Sequence, residues 1–147
     1  MRIASFASRT VGGGAVLLAL AAAGCDGFPF GSDRERVPAT IEGDGLPLNV
    51  VVPTTATRGV PFNVVVTTYG GGCIEEDDTR VEVQGAFAIV RPYQIVLHRN
   101  SCTAELLISR RSVQVQLDRL GTGRVVFFGY SETANRVISV ERTVTVQ

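Results

Sequence analysis

Three cysteines are the residues of this chain whose positions point most directly to chemistry. Cys25 directly follows an apolar stretch, "LLALAAAG", whereas Cys73 and Cys102 lie far downstream, each beside turn-forming residues. In an exported protein, an odd number of cysteines requires a separate use for one of the thiols. The pattern therefore raises the hypothesis that Cys25 is modified and that the other two pair.

The N-terminal residues have the pattern of an export signal. Arg2 and Arg9 are the charged residues of the first nine, and residues 11–24 carry no charge. A basic start, a short apolar run and small residues are typical of a signal peptide. The apolar run is shorter than the roughly 20 residues that a spanning helix needs. We therefore expect residues 1–24 to be removed and not to anchor the protein.

The stretch Ala22–Cys25 resembles the lipobox of bacterial lipoproteins, with Ala22 where that family usually has Leu. The resemblance implies that Cys25 is acylated and becomes the mature N-terminus, and two acyl chains suffice for stable membrane anchoring. Asp26 resembles a retention signal for the inner membrane, but inner and outer membrane both stay open. Ordinary secretion is the alternative, because Ala21–Ala23 is also an acceptable cleavage site.

If Cys25 is acylated, Cys73 and Cys102 remain as a pair in an oxidising compartment, where disulfides persist. The bond would close a loop of about 30 residues and stabilise the fold by about 3.5 kcal/mol. Two free buried thiols, or a metal site with His98, are the alternatives.

The segment "CIEEDDTR" places four carboxylates together, at Glu75, Glu76, Asp77 and Asp78. Clustered carboxylates suit Ca²⁺, but the alternating spacing of a calcium loop is absent. We therefore predict a solvated acidic loop, which is also a candidate contact loop. We expect neither a metal nor a cofactor.

His98 is the single histidine of the chain, and no catalytic motif surrounds it. A catalytic triad needs a nucleophile, a histidine base and an orienting acid. The chain has no nucleophile elbow, no H-E-x-x-H and no phosphate-binding loop. We predict that the protein is not an enzyme and that His98 is structural or exposed.

From Leu46 onward, apolar residues alternate with polar ones, which is typical of half-buried strands. At the C-terminus, for example, Ile138, Val140, Val144 and Val146 share one face. The other predicted strands are Leu48–Val52, Phe62–Tyr69, Val81–Val90, Tyr93–Leu97, Ala104–Ile108, Val113–Leu117 and Val125–Tyr130. Turns are predicted between them, including one at Arg91-Pro92, one at Arg110-Arg111 and one at Thr133–Asn135. Of the adjacent Phe127 and Phe128, one should face inward and the other outward.

The alternation, with the segments "ATRGVPFNVVVTTYG", "VQVQLDRLGTGRVVFFGY" and "RTVTV", resembles bacterial immunoglobulin-like domains. The resemblance implies an all-β, two-sheet antiparallel sandwich of about seven to nine strands. The chain lacks the tryptophan and the corner tyrosine of antibody-type domains. We expect a signal peptide over residues 1–24, a lipidated N-terminus and flexible tether over 25–46, and the sandwich over 47–147.

Charge and anchoring together indicate where the protein acts. Fourteen basic residues balance fourteen acidic ones, which disfavours nucleic acid as a partner. We expect a membrane-anchored lipoprotein of the cell envelope that serves as a non-enzymatic binding or structural module. Its partners would be the membrane, through the lipid, and another envelope protein or polymer. The alternative is an envelope lipoprotein that binds a small ligand or a cation.

Overall fold

The computed structural model describes residues 33–147, which contain ten β-strands and no helix. The strands are β1 (Arg34–Pro38), β2 (Thr40–Glu42), β3 (Val50–Val51), β4 (Thr55–Ala56), β5 (Phe62–Gly70), β6 (Ile74–Gln84), β7 (Phe87–Leu97), β8 (Leu107–Val115), β9 (Gly121–Ser131) and β10 (Arg136–Val146). The predicted signal peptide and Cys25 lie outside the described residues. In the part that is described, no helix is long and apolar enough to cross a membrane.

The alternating C-terminal sequence forms the β9–β10 hairpin. The two strands pair antiparallel without interruption from Arg136 opposite Ser131 to Val146 opposite Gly121. The predicted turn between them is confirmed, and it contains Asn135 in the left-handed region, at φ 49°. Asparagine tolerates this conformation better than most residues do.

Strand β7 has three strand partners. One lies along one edge, and the other two follow each other along the opposite edge. On one edge it pairs antiparallel with β6. On the other, Phe87–Val90 pair parallel with β9, and Tyr93–Leu97 pair antiparallel with β1. Pro92, which has no backbone N–H to donate, lies where one neighbour replaces the other. The predicted turn at Arg91-Pro92 is therefore wrong. The chain turns instead at Gly85, with φ 65°, within a segment predicted as one strand.

A second group of strands is built on β5. It pairs antiparallel with β8 on one side and with the short β3 on the other. The predicted turn at Arg110-Arg111 is wrong, because both arginines lie inside β8. Strand β2 joins the two groups, since Thr40 pairs both with Tyr69 of β5 and with Tyr130 of β9.

Both groups of strands contribute to one hydrophobic core. Its members are at most 3% exposed, and they alternate along their strands as the sequence pattern predicts. They are Ile41, Val64, Val66, Ala88, Val90, Val115, Leu117, Val125, Phe127, Val144 and Val146. The core fixes which side chains of each strand point inward, and this decides the position of the polar groups described below.

The predicted fold class, all-β, is confirmed, but one detail of the prediction is wrong. The sheet is mixed and not antiparallel throughout, because β2–β9, β4–β10 and β7–β9 are parallel pairs. Eight of the ten strands, β3 to β10, lie within residues 47–147, which agrees with the seven to nine expected there. In addition, β1 and β2 lie within the predicted tether, residues 25–46, so its later part belongs to the sheet.

Candidate functional site at the β6 bulge

The acidic run belongs to strand β6 and is not a loop. The register between β6 and β7 shifts between Glu76 and Thr79, so that Asp77 and Asp78 together lie opposite Tyr93. Two residues facing one define a β-bulge, which bends the strand and re-aims its side chains. The acidic run is therefore part of a strand and not the predicted loop, although Glu75, Glu76 and Asp78 are exposed to solvent as expected.

Arginines of β1 neutralise much of this acidic segment. Arg34 donates to Glu75 at 2.6 Å, between Nη2 and Oε2. Arg36 pairs with both Asp77 and Asp78, and its guanidinium carbon lies 3.8 Å from the centre of the Tyr93 ring. Exposed ion pairs contribute little individually, but a planar guanidinium that stacks and binds two carboxylates also fixes geometry. The predicted tether residues thus hold the bulge in place.

Arg111, on β8, supports the bulge from the inside. Its Nη1 donates to the carbonyl oxygens of Asp77, at 2.8 Å, and of Tyr93, at 2.6 Å. Its Nε donates to Oγ1 of Thr68 at 3.0 Å. The residue is only 9% exposed. Arg111, on β8, is therefore hydrogen-bonded to acceptors on β5, β6 and β7.

The charge of Arg111 is only partly compensated. Burial lowers the pKa of its guanidinium, and the carboxylates of Glu76 and Asp77 oppose that shift from a distance. Within residues 33–147 no carboxylate oxygen lies within 4.0 Å of it. Because an arginine stays protonated in proteins, a buried positive charge remains at this point without an ion-pair partner among residues 33–147.

One edge of this guanidinium makes no hydrogen bond within residues 33–147. Nη2 donates no hydrogen bond to any residue of the described range, whereas Nε and Nη1 both do. In that range every fully buried side-chain nitrogen or oxygen has a hydrogen-bond partner. Because Nη2 has none, it must be at least slightly exposed. Solvent or a small ligand can therefore reach this nitrogen.

A pocket of about 280 Å³ lies beside Arg111, between the start of β6 and the first half of β8. Tyr69, Ile74 and Leu107 provide apolar wall, and Gln94 and Thr68 lie deeper, both buried. Glu75 and Glu76 of the acidic run belong to its lining, but His98 does not. The pocket is thus an apolar recess with one buried cation and two carboxylates around it.

The predicted pairing of Cys73 with Cys102 is present in the structure as a disulfide, with the two Cα atoms 5.3 Å apart. It connects the residue just before β6 to the segment that leads into β8. Gly72 is needed beside it, since a Cβ there would lie 2.7 Å from the backbone oxygen of Thr103. The bond therefore ties together the two strands between which the pocket lies.

The remaining candidates from the sequence do not join this site. His98 is exposed, and its Nε2 lies 3.3 Å from Oε2 of Glu35. Among residues 33–147, no three His, Cys, Asp or Glu side chains are placed to hold a metal ion. Phe127 faces the core and is fully buried, whereas Phe128 faces outward, 5.3 Å from the guanidinium of Arg91.

Strand β8 also presents an apolar edge. Leu106, Leu107 and Ile108 are all exposed, Ile108 by 60%. Among the described strands β8 pairs only with β5, so that no described strand is hydrogen-bonded along its other edge. Three neighbouring exposed apolar residues on an unpaired edge form a candidate contact surface.

Arg111 is the residue of the site whose position the sequence predicts wrongly. The adjacent charges of Arg110-Arg111 favour a turn, although Arg111 has the same parity as Val113 and Val115, which point inward on the same strand. This parity indicates that Arg111 points inward, and a buried arginine needs hydrogen-bond or ion-pair partners. Its partners come from distant segments, which no local pattern shows.

No protein-family model matches the chain, and no curated protein or solved structure matches it either.

Proposed function

We propose that the chain is an exported, lipid-anchored module of the bacterial cell envelope that binds another envelope protein or polymer and catalyses no reaction. The observation that supports this most is the Cys73–Cys102 disulfide. It uses two of the three cysteines and leaves Cys25, at the end of the apolar N-terminal run, without an intrachain partner. Disulfides persist in oxidising compartments, which agrees with export.

The fold that we propose for the module is an immunoglobulin-like sandwich. Two features support it: β5 pairs with β8 while β9 pairs with β10, and both pairs bury side chains in the same core. The short β4 also runs parallel to the closing strand β10. Such domains present loops or sheet edges, and the fold alone does not specify a partner.

The surface that we assign to binding is the β8 edge, defined by Leu106, Leu107 and Ile108. An edge strand has unpaired backbone N–H and C=O groups, which can accept a strand from a partner. Arg110 is also exposed there and makes no ion pair within residues 33–147, so a partner with acidic groups is favoured. A second copy of the chain, antiparallel on the same edge, would bring like charges together.

Site-specific photo-crosslinking in cells tests this assignment. A photoreactive residue in place of Ile108 should give a discrete high-mass adduct, because that side chain would lie in the interface. The matched control replaces Val137, an exposed apolar residue of β10. The expected result is an adduct at position 108 and none above background at position 137. Equal adducts at both positions, or none at 108, would contradict the proposal.

A further inference from the structure

We propose that the pocket between β6 and β8 binds a carboxylate that carries a small apolar body, with the free edge of Arg111 as the anion receptor. The inference concerns a ligand site and does not depend on the membrane anchor or on the β8 edge. Two independent features carry it, the unused donor on Arg111 and the size and walls of the pocket, and the carboxylates at the rim of the pocket provide a test of it.

The first feature is the unused donor. Nε and Nη1 of Arg111 are committed to Thr68, Asp77 and Tyr93, which hold the guanidinium plane in a fixed orientation. Nη2 has no partner in the described range, and Arg111 lines the pocket. A charge-assisted hydrogen bond to a carboxylate is among the strongest that a guanidinium forms. A ligand carboxylate would therefore supply the ion-pair partner that this buried charge lacks.

The second feature is the shape of the pocket. At about 280 Å³ it is slightly smaller than the roughly 300–1,000 Å³ of sites for drug-sized ligands. Tyr69, Ile74 and Leu107 offer apolar contact but few polar partners. These walls suit a branched or linear hydrocarbon group about as large as one amino-acid side chain, and they disfavour a sugar or a nucleotide.

The carboxylates at the rim of the pocket work against an anionic ligand and so set the direction of a test. Glu76 lines the pocket and favours the charge of Arg111 from a distance, so it repels a second carboxylate entering the site. Within residues 33–147 Glu76 makes no ion pair, whereas Glu75 pairs with Arg34. Removing the charge of Glu76 should therefore strengthen binding of an anion, an effect that a purely structural role of Arg111 does not predict.

The experiment titrates the purified full chain with 4-methylpentanoate and follows ¹H–¹⁵N NMR signals, including the Nε–Hε signal of Arg111. The neutral amide of the same acid is the matched ligand control. We expect saturable shifts of Arg111 and of pocket residues with the acid, and none with the amide. Equal binding of acid and amide, or no saturable shift with the acid, would overturn the proposal.

Variants separate binding from folding. Arg111→Gln should weaken acid binding about 10- to 100-fold, because it removes a charged hydrogen bond. Glu76→Gln should tighten it about two- to fivefold, while Glu141→Gln, which removes a carboxylate on β10 outside the pocket lining, should leave it unchanged. If Arg111→Gln fails to fold, Leu107→Trp fills the pocket from a partly exposed position and should abolish binding. Unchanged binding in Leu107→Trp, or no tightening in Glu76→Gln, would count against the site.

A last pair of ligands identifies the source of the carboxylate. N-Acetyl-glycyl-leucine presents the same branched group on a peptide C-terminus, and its C-terminal amide is the neutral control. Tighter binding of the peptide acid than of 4-methylpentanoate would assign the pocket to a chain terminus. The reverse order would assign it to a small free acid, and both results require that the amide fails to bind.

Discussion

Replacing Phe127 by alanine should lower the free energy of unfolding by about 3–5 kcal/mol. The ring is fully buried and is the largest of the fully buried side chains in the described range. It lies on β9, the strand that pairs with β10, with β7 and with β2. The loss combines the lost burial of the ring with the cost of the cavity left in the core.

Phe128→Ala is the matched control, because it removes the same group one residue further along. Its ring faces outward and contacts the guanidinium of Arg91, a contact that contributes about 0.5–1 kcal/mol at an exposed site. Urea unfolding monitored by circular dichroism measures both variants. Equal losses for the two, or a larger loss for Phe128→Ala, would show that the assignment of the inward face of β9 is wrong.

Removing the disulfide should cost about 3.5 kcal/mol, the second largest effect that we expect. The bond closes a loop with a sequence separation of 29, and much of this effect comes from the greater freedom of the unfolded chain. The double variant Cys73→Ser/Cys102→Ser should therefore unfold at a clearly lower urea concentration than the parent.

Cys25→Ser is the control for the loss of a thiol as such. It lies outside the described domain and should leave the unfolding free energy of that domain unchanged. Reducing the parent with a thiol reagent should reproduce the loss seen in the double variant. An unchanged midpoint in the double variant would contradict the stabilising role of the bond, and a loss in Cys25→Ser would contradict the cysteine assignment.

The sequence predicts strands well where a strand alternates and ends at a glycine or asparagine turn. The β9–β10 hairpin follows directly from such a pattern, because local polarity and turn chemistry agree. The pattern favours a turn at Arg91-Pro92, because of the proline, and at Arg110-Arg111, because of the adjacent charges, but both dipeptides lie inside strands. There the neighbouring strands decide: β7 exchanges one partner for another at Pro92, and buried acceptors receive the guanidinium of Arg111.

The site depends on contacts between distant segments, and for that reason the sequence reveals only its parts. The acidic run is visible as a charge cluster, but its partners Arg34 and Arg36 lie about 40 residues earlier, in a segment with the composition of a linker. The bulge that aligns Asp77 and Tyr93 with Arg111 arises from the register of β6 on β7. Register is a property of the paired strands and cannot be read from one strand alone.

The cysteines are the exception, since simple counting predicts their use. One of three thiols must differ from the others, and position relative to the apolar run selects Cys25. The structure pairs the remaining two. The account of location and function then depends on a single covalent change at Cys25.

The mass of the N-terminal peptide of the mature protein, isolated from the membrane fraction, tests that change most directly. We predict that this peptide begins at Cys25 and carries acyl chains, and that Cys25→Ser leaves the protein uncleaved or free of the lipid mass. A mature chain that begins at another residue, that keeps Met1, or that carries an unmodified Cys25 would contradict the proposed anchor.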